Sequence, residues 1–130
     1  MLIDWTSQFD GWLDRLEAAA AQGSRIAQLQ LDYIDAQLEV LEELVGEPTE
    51  ETAVLRKVRQ SGKYQVWRLS HPFDPDVAVR LICWFPNDQE VVVALFAGDK
   101  AQMGDVFYDS VGRRADAAIE QWKREVQYDD

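Results

Sequence analysis

Between Arg56 and Arg80 the chain carries six basic residues, Arg56, Lys57, Arg59, Lys63, Arg68 and Arg80, against only Asp74 and Asp76. Arg68 and Arg80 stand mid-way along segments that alternate as strands do, and Lys100 follows the last such segment. A charge at a strand centre is costly to bury, so it faces solvent, pairs with a carboxylate or meets a ligand. With 24 acidic residues in the chain, internal ion pairing is one open reading. A phosphate site is the other, because Arg offers a two-pronged fork of donors and Lys a point charge. Residue types alone do not choose between them.

Several other chemistries lack their residues. One histidine and one cysteine, His71 and Cys83, do not make a His/Cys zinc site, and no spaced set of carboxylates has the pattern of a calcium loop. There is no P-loop, no GxGxxG and no GxSxG, so neither a metal nor a nucleotide cofactor is expected. His71 precedes Pro72 in a turn, where a solvated side chain is the first reading and a proton carrier the second. The pairs Glu42-Glu43 and Glu50-Glu51 read as solvated faces, since nothing puts them in an apolar cleft. A single cysteine excludes an intramolecular disulfide framework, which points to a reducing, cytoplasmic setting. The acidic start MLIDWTSQFD has no h-region and no apolar run is long enough to span a bilayer, so no membrane partner is expected.

The elements that must position the cations follow from periodicity. With 130 residues, 47% apolar and 28% charged, the chain reads as one globular domain over 1–130. Its net charge of −11 is unevenly spread: residues 1–52 hold twelve acids against Arg15 and Arg25, a net of −10, and the remainder is nearly balanced. A first helix is expected from Trp5, Phe9, Trp12, Leu13, Leu16 and Ala20, started by Ser7 with Asp10 and stopped at Gly23. A second, from about Ser24 to Val45, carries two apolar stripes, Ile26–Leu29–Tyr33–Ala36–Val40–Leu44 and Leu31–Ile34–Leu38–Leu41–Val45. Two stripes imply cover on both sides, by the domain itself or by a partner. After Thr52 the period becomes two, and Ala53–Gln60, Tyr64–Ser70, Val77–Phe85 and Glu90–Ala97 read as strands. A last helix is expected over Ser110–Gln127. The fold class is therefore α+β: two N-terminal helices, a four-stranded, mostly antiparallel sheet and a C-terminal helix. Its core should take in Trp5, Phe9, Trp12, Leu16, Leu29, Tyr33, Leu81, Cys83, Phe85, Val93 and Leu95.

This order of elements, with Val45-Gly46-Glu47-Pro48, Tyr64-Gln65-Val66-Trp67-Arg68-Leu69, Val79-Arg80-Leu81-Ile82 and the run Val91–Gln102, resembles the RelE/ParE toxin superfamily, in particular its HigB-like, phage-derived branch. The resemblance spans nearly the whole chain through short motifs in the same order. Where the family has paired lysines this chain has Asp99-Lys100, and Gln121-Trp122 stand where the family has an aromatic acid/base candidate. Tyr108 and Tyr128 lie nearby but off the motif position.

The resemblance implies a RelE-like toxin of a type II toxin–antitoxin system that cleaves mRNA on the ribosome without a metal. In that chemistry the ribose 2′-OH attacks the adjacent phosphate and the 5′-oxygen leaves. Cations must stabilise the charged phosphorane, and some group must move protons. Arg80, Arg68 and Lys100 are the residues expected to carry catalysis, with Lys57, Arg59 and Lys63 contacting RNA. A cognate antitoxin, of helix-turn-helix type, would silence the site by covering Arg68 and Arg80 with an acidic or amphipathic segment. The alternative implied by the same scaffold is a catalytically silent binding module or a ParE-type gyrase poison.

Overall fold

The computed structural model describes residues 1–70, 79–98 and 105–128, with 105–109 described by backbone alone. The elements run β1 (Leu2–Trp5), α1 (Ser7–Ala21), α2 (Arg25–Glu42), β2 (Leu55–Lys57), β3 (Val66–Leu69), β4 (Arg80–Asn87), β5 (Glu90–Ala97) and α3 (Asp105–Val126). The class is α+β, as the periodicity indicates. The sheet, however, has five strands in the order β1-β5-β4-β3-β2, and β1 lies parallel to β5. The expectation of four strands missed β1 because four residues before a strongly helical pattern leave no room for an alternation to show.

That strand also moves the start of α1. Thr6, not Ser7, caps the helix: its hydroxyl accepts from the Phe9 N–H at 3.2 Å and donates to the Ala94 carbonyl at 2.8 Å. One side chain thus satisfies a free helical donor and ties α1 to β5. Ser7 instead donates to Glu125 on α3. Gly23 stops α1 as expected, at φ +97°, with Gly23 N–H to Ala20 O and Ser24 N–H to Ala19 O, both 3.0 Å. Those two bonds are a Schellman closure, and only glycine takes that φ without strain. Ser24 then caps α2 by accepting from Ala27 N–H.

Alternation along β4 sends its side chains to two separate cores. Leu81, Cys83 and Phe85 join Phe9, Ile34 and Leu41 beneath α1 and α2. Ile82, with Val66, Ala94 and Leu95, meets Val111, Ala115, Ala118 and Ile119 of α3. The sheet is therefore covered on both faces, and every residue from Val91 to Ala97 is buried. Phe9, Leu81, Cys83, Phe85, Val93 and Leu95 are buried as expected. Trp12, Leu16 and Tyr33 are half-buried. Trp5 and Leu29, expected in the core, are 36% and 41% exposed, since Trp5 ends the edge strand and Leu29 lies on the outer side of α2. Of the two stripes on α2, Ile34 and Leu41 go inward, whereas Ile26 and Leu29 are exposed.

α3 comes close enough to the β2–β3 connection to leave no space for a side chain at Gly112. A Cβ there would collide with the Gln60 carbonyl and lie 2.8 Å from the Gly62 nitrogen. Backbone occupies both positions, so the contact cannot yield by a rotamer change.

Candidate functional site

Strand register decides which cations meet. Arg56 on β2 pairs with Arg68 on β3, which pairs with Ile82 on β4. Arg80, two residues before Ile82, pairs with Ala97 on β5. Since Ile82 faces α3, alternation puts Arg56, Arg68 and Arg80 on that same face. Side chains directly opposite in an antiparallel pair have Cβ atoms about 5 Å apart, and diagonal neighbours lie about 7–8 Å apart. Three guanidinium stems therefore share one sheet corner. Arg68 and Arg80 are half-buried and Arg56 is exposed.

Arg80 Nη1 donates to the Val79 carbonyl at 3.0 Å. The same oxygen accepts from Gln37 Nε2, also at 3.0 Å, across the sheet from α2. Gln37 is fully buried, and its Oε1 has no hydrogen-bond partner among the described residues. Sequence reasoning passed over Gln37. Its signal was there: Ile34, Gln37 and Leu41 have core spacing on α2, so the glutamine is a polar group on an inward face.

The other cations expected at the site stand elsewhere. Lys57 points to the opposite face, with its Nζ 5.6 Å from the Trp67 ring centroid, and its N–H donates to Glu51. Arg59 is exposed beyond the end of β2. Lys63 is exposed and its Nζ lies 2.8 Å from Glu120 Oε1 on α3. The bond from Lys63, then that from the Tyr64 hydroxyl, holds the Glu120 carboxyl down to about 2. The bond to Glu120 in turn holds the Lys63 ammonium above the usual lysine range. Lys100, His71 and Asp99 lie outside the described residues, as does the side chain of Tyr108.

Near the C-terminal end of α3 the same sheet face carries a second cationic cluster. Lys123 is 8% exposed, and its Nζ sits 4.6 Å from the Tyr64 ring centroid, 5.4 Å from Trp84 and 5.6 Å from Tyr128. Trp122 packs on Trp84 and Tyr128 and donates its indole N–H to Asp4 at 2.9 Å. Tyr128 thus belongs to a packed aromatic group. Trp84 lies four residues along β4 from Arg80, about 13 Å away. Cys83 is buried in the other core, which pushes its thiol up to about 12, so it is not a nucleophile.

No helix among the described residues is long and apolar enough to cross a membrane. No family model matches the chain, and neither a curated protein nor a solved structure matches it significantly.

Proposed function

We propose that this chain is a RelE-like toxin: a metal-independent endoribonuclease that cuts mRNA on the ribosome in the cytoplasm and is silenced by a cognate antitoxin. The observation that supports this reading is the clustering of Arg56, Arg68 and Arg80 on one sheet face. Guanidinium groups gathered on one corner offer planar forks of donors that suit phosphate oxygens. In the reaction, Arg68 and Arg80 neutralise the phosphorane formed when the 2′-oxygen attacks, with Lys100, three residues beyond β5 in the sequence, adding charge. The 2′-OH proton passes to a base, the 5′-oxygen takes up a proton on leaving, and a 2′,3′-cyclic phosphate remains. Stabilisation of this kind is worth about 10²-fold or more per donor.

The antitoxin is expected to lay an acidic segment on the same corner, away from the acidic N-terminal half. Controlled expression, followed by primer extension on cellular mRNA, tests the proposal. Growth arrest with discrete new 5′ ends, absent in an Arg68→Ala/Arg80→Ala variant, is the expected result. Arrest with intact mRNA and broken chromosomal DNA would replace the ribonuclease by a gyrase poison. No arrest at all would leave a binding module.

A further inference from the structure

Along α2 the residues Ile26, Leu29, Tyr33, Ala36 and Val40 follow a three-four spacing, the seam by which one helix packs along another. The inner core takes up only part of that seam. Tyr33 and Val40 are half-buried against the core, whereas Ile26 is 65% exposed and Leu29 41%. The flank beside it is acidic: Asp32, Asp35, Glu39, Glu42 and Glu43 are all exposed. Arg25, in the first turn, is the only base on the helix, so no cation stands three or four places from any of these acids. None has an ion-pair partner among the described residues, and only Asp32 accepts a side-chain hydrogen bond, from Gln28 at 3.0 Å. Asp35 and Glu39, and again Glu39 and Glu43, are like charges one turn apart. Glu39 and Glu42 also occupy the last turn, where the helix end is itself negative. The chain alone gains nothing from this arrangement.

We infer that this face of α2 docks a basic amphipathic helix of a partner protein. The partner's apolar residues lie on Ile26 and Leu29, and its Lys or Arg side chains meet Asp32, Glu39 and Glu43. In paired helices the apolar seam supplies contact area, and the charges flanking it select the partner. Charge also separates this occupant from others. A second copy would bring the same carboxylates to the seam. A nucleic acid or an anionic membrane would meet residues 1–52, whose net charge is −10. α2 covers the sheet face opposite to α3, whereas Arg68 and Arg80 lie on the α3 face. The partner and an anion at the arginine corner therefore use separate surfaces, and the inference does not rest on ribonuclease activity.

The test titrates the ¹⁵N-labelled chain with a synthetic helix of 18 residues, the length of α2, carrying leucine at three-four spacing and lysine elsewhere. A scrambled peptide of the same composition and a peptide with glutamate in place of lysine are the controls. Saturable binding with amide shifts centred on α2 is expected, with the scrambled peptide about tenfold weaker and the glutamate peptide silent. Ile26→Ser/Leu29→Ser and Glu39→Lys/Glu43→Lys should each weaken binding about tenfold. Leu2→Ser, at an exposed leucine on β1, and Glu50→Lys/Glu51→Lys, at an acidic pair off the helix, should leave it unchanged. Every side chain replaced is exposed, so the variants keep the fold, and the peptide controls use the parent chain. The inference falls if the scrambled peptide binds as tightly, or if Glu50→Lys/Glu51→Lys loses as much as the helix variant, which would mean diffuse attraction to an acidic chain. It falls equally if the shifts lie off α2, or if the free chain sediments as a dimer that Ile26→Ser/Leu29→Ser dissociates.

Discussion

The face of the sheet beneath α3 carries cations at two places, and their surroundings could hardly differ more. Near the C-terminal end of the helix, Lys123 is enclosed by Tyr64, Trp84 and Tyr128, and Lys63 is paired with Glu120. Each charge there has aromatic faces or a carboxylate within reach, and its environment favours the folded chain. At the opposite corner Arg56 and Arg68 are cross-strand partners, and Arg80, two residues from the Ile82 opposite Arg68, is a diagonal neighbour. Residue type does not separate the two groups; register does. Register sets Lys123 among aromatic rings, which stabilise it, and sets three arginine stems on one corner, where Arg68 and Arg80 make contacts of their own.

Breaking the aromatic end should give the largest effect. Trp122 is 4% exposed and holds both the ring cluster and the bond to Asp4. Trp122→Ala should cost about 3–5 kcal/mol in urea unfolding, with little change in any RNA cleavage measured per folded molecule. A loss below about 1 kcal/mol would mean that this cluster does not anchor α3.

The arginine corner should respond in the opposite way. On the proposed ribonuclease reading, Arg80→Ala or Arg68→Ala should lower RNA cleavage about 10²-fold or more with the melting temperature nearly unchanged. If Arg80→Ala instead lowers stability by about 3–5 kcal/mol, the guanidinium was one partner of a buried ion pair and its loss stranded the other. The contrast between the two ends would then disappear.

How far the sequence foretold these two regions differs as well. β4 and β5 were legible because a sheet covered on both faces needs long apolar segments, and Arg80 stood out as a charge in one of them. β1 was not legible. Its pairing with β5 joins segments nearly the whole chain apart, and the Thr6 cap that locks it reaches Ala94, 88 residues away. Arg68 and Arg80 could be singled out from alternation, but the place of Arg56 opposite Arg68 depends on register, which turn lengths and bulges set. The pairing of Lys63 with Glu120 was not legible either, because Glu120 comes from a helix more than fifty residues later.

Gln37 joins the arginine corner to the other core, which gives a smaller test. Gln37→Met keeps the volume, removes the bond to Val79 O, and also removes a buried oxygen with no described partner. A lost hydrogen bond costs about 1 kcal/mol, and relieving an unsatisfied buried group returns a similar amount. Stability should therefore stay within about 1 kcal/mol of the parent. On the proposed reading cleavage should fall measurably, because the carbonyl that also holds Arg80 loses its tether to α2. Unchanged cleavage would show that Arg80 is oriented without help from across the sheet.

The smallest effect belongs to the Lys63–Glu120 pair, and pH isolates it. Glu120 is held down to about 2 from an ordinary 4.5, first by the bond from Lys63 and then by that from Tyr64. A depressed carboxylate stabilises the fold fully above its unfolded value, and that contribution is lost as pH falls towards about 2. Lys63 is shifted up from 10.5, so its share is complete below that value and lost only in strong alkali. Glu120→Gln still accepts from the Tyr64 hydroxyl while removing the charge. Its urea midpoint should therefore fall less steeply than the parent's between about pH 5 and pH 2. At pH 7 the difference should be small, because the side chains are 39% and 64% exposed and water screens exposed pairs. Salt at 1 M, where the screening length is about 3 Å, should reduce that small difference further. Identical slopes for parent and variant would mean that Lys63 is not held by Glu120, returning it to the set of cations available to RNA.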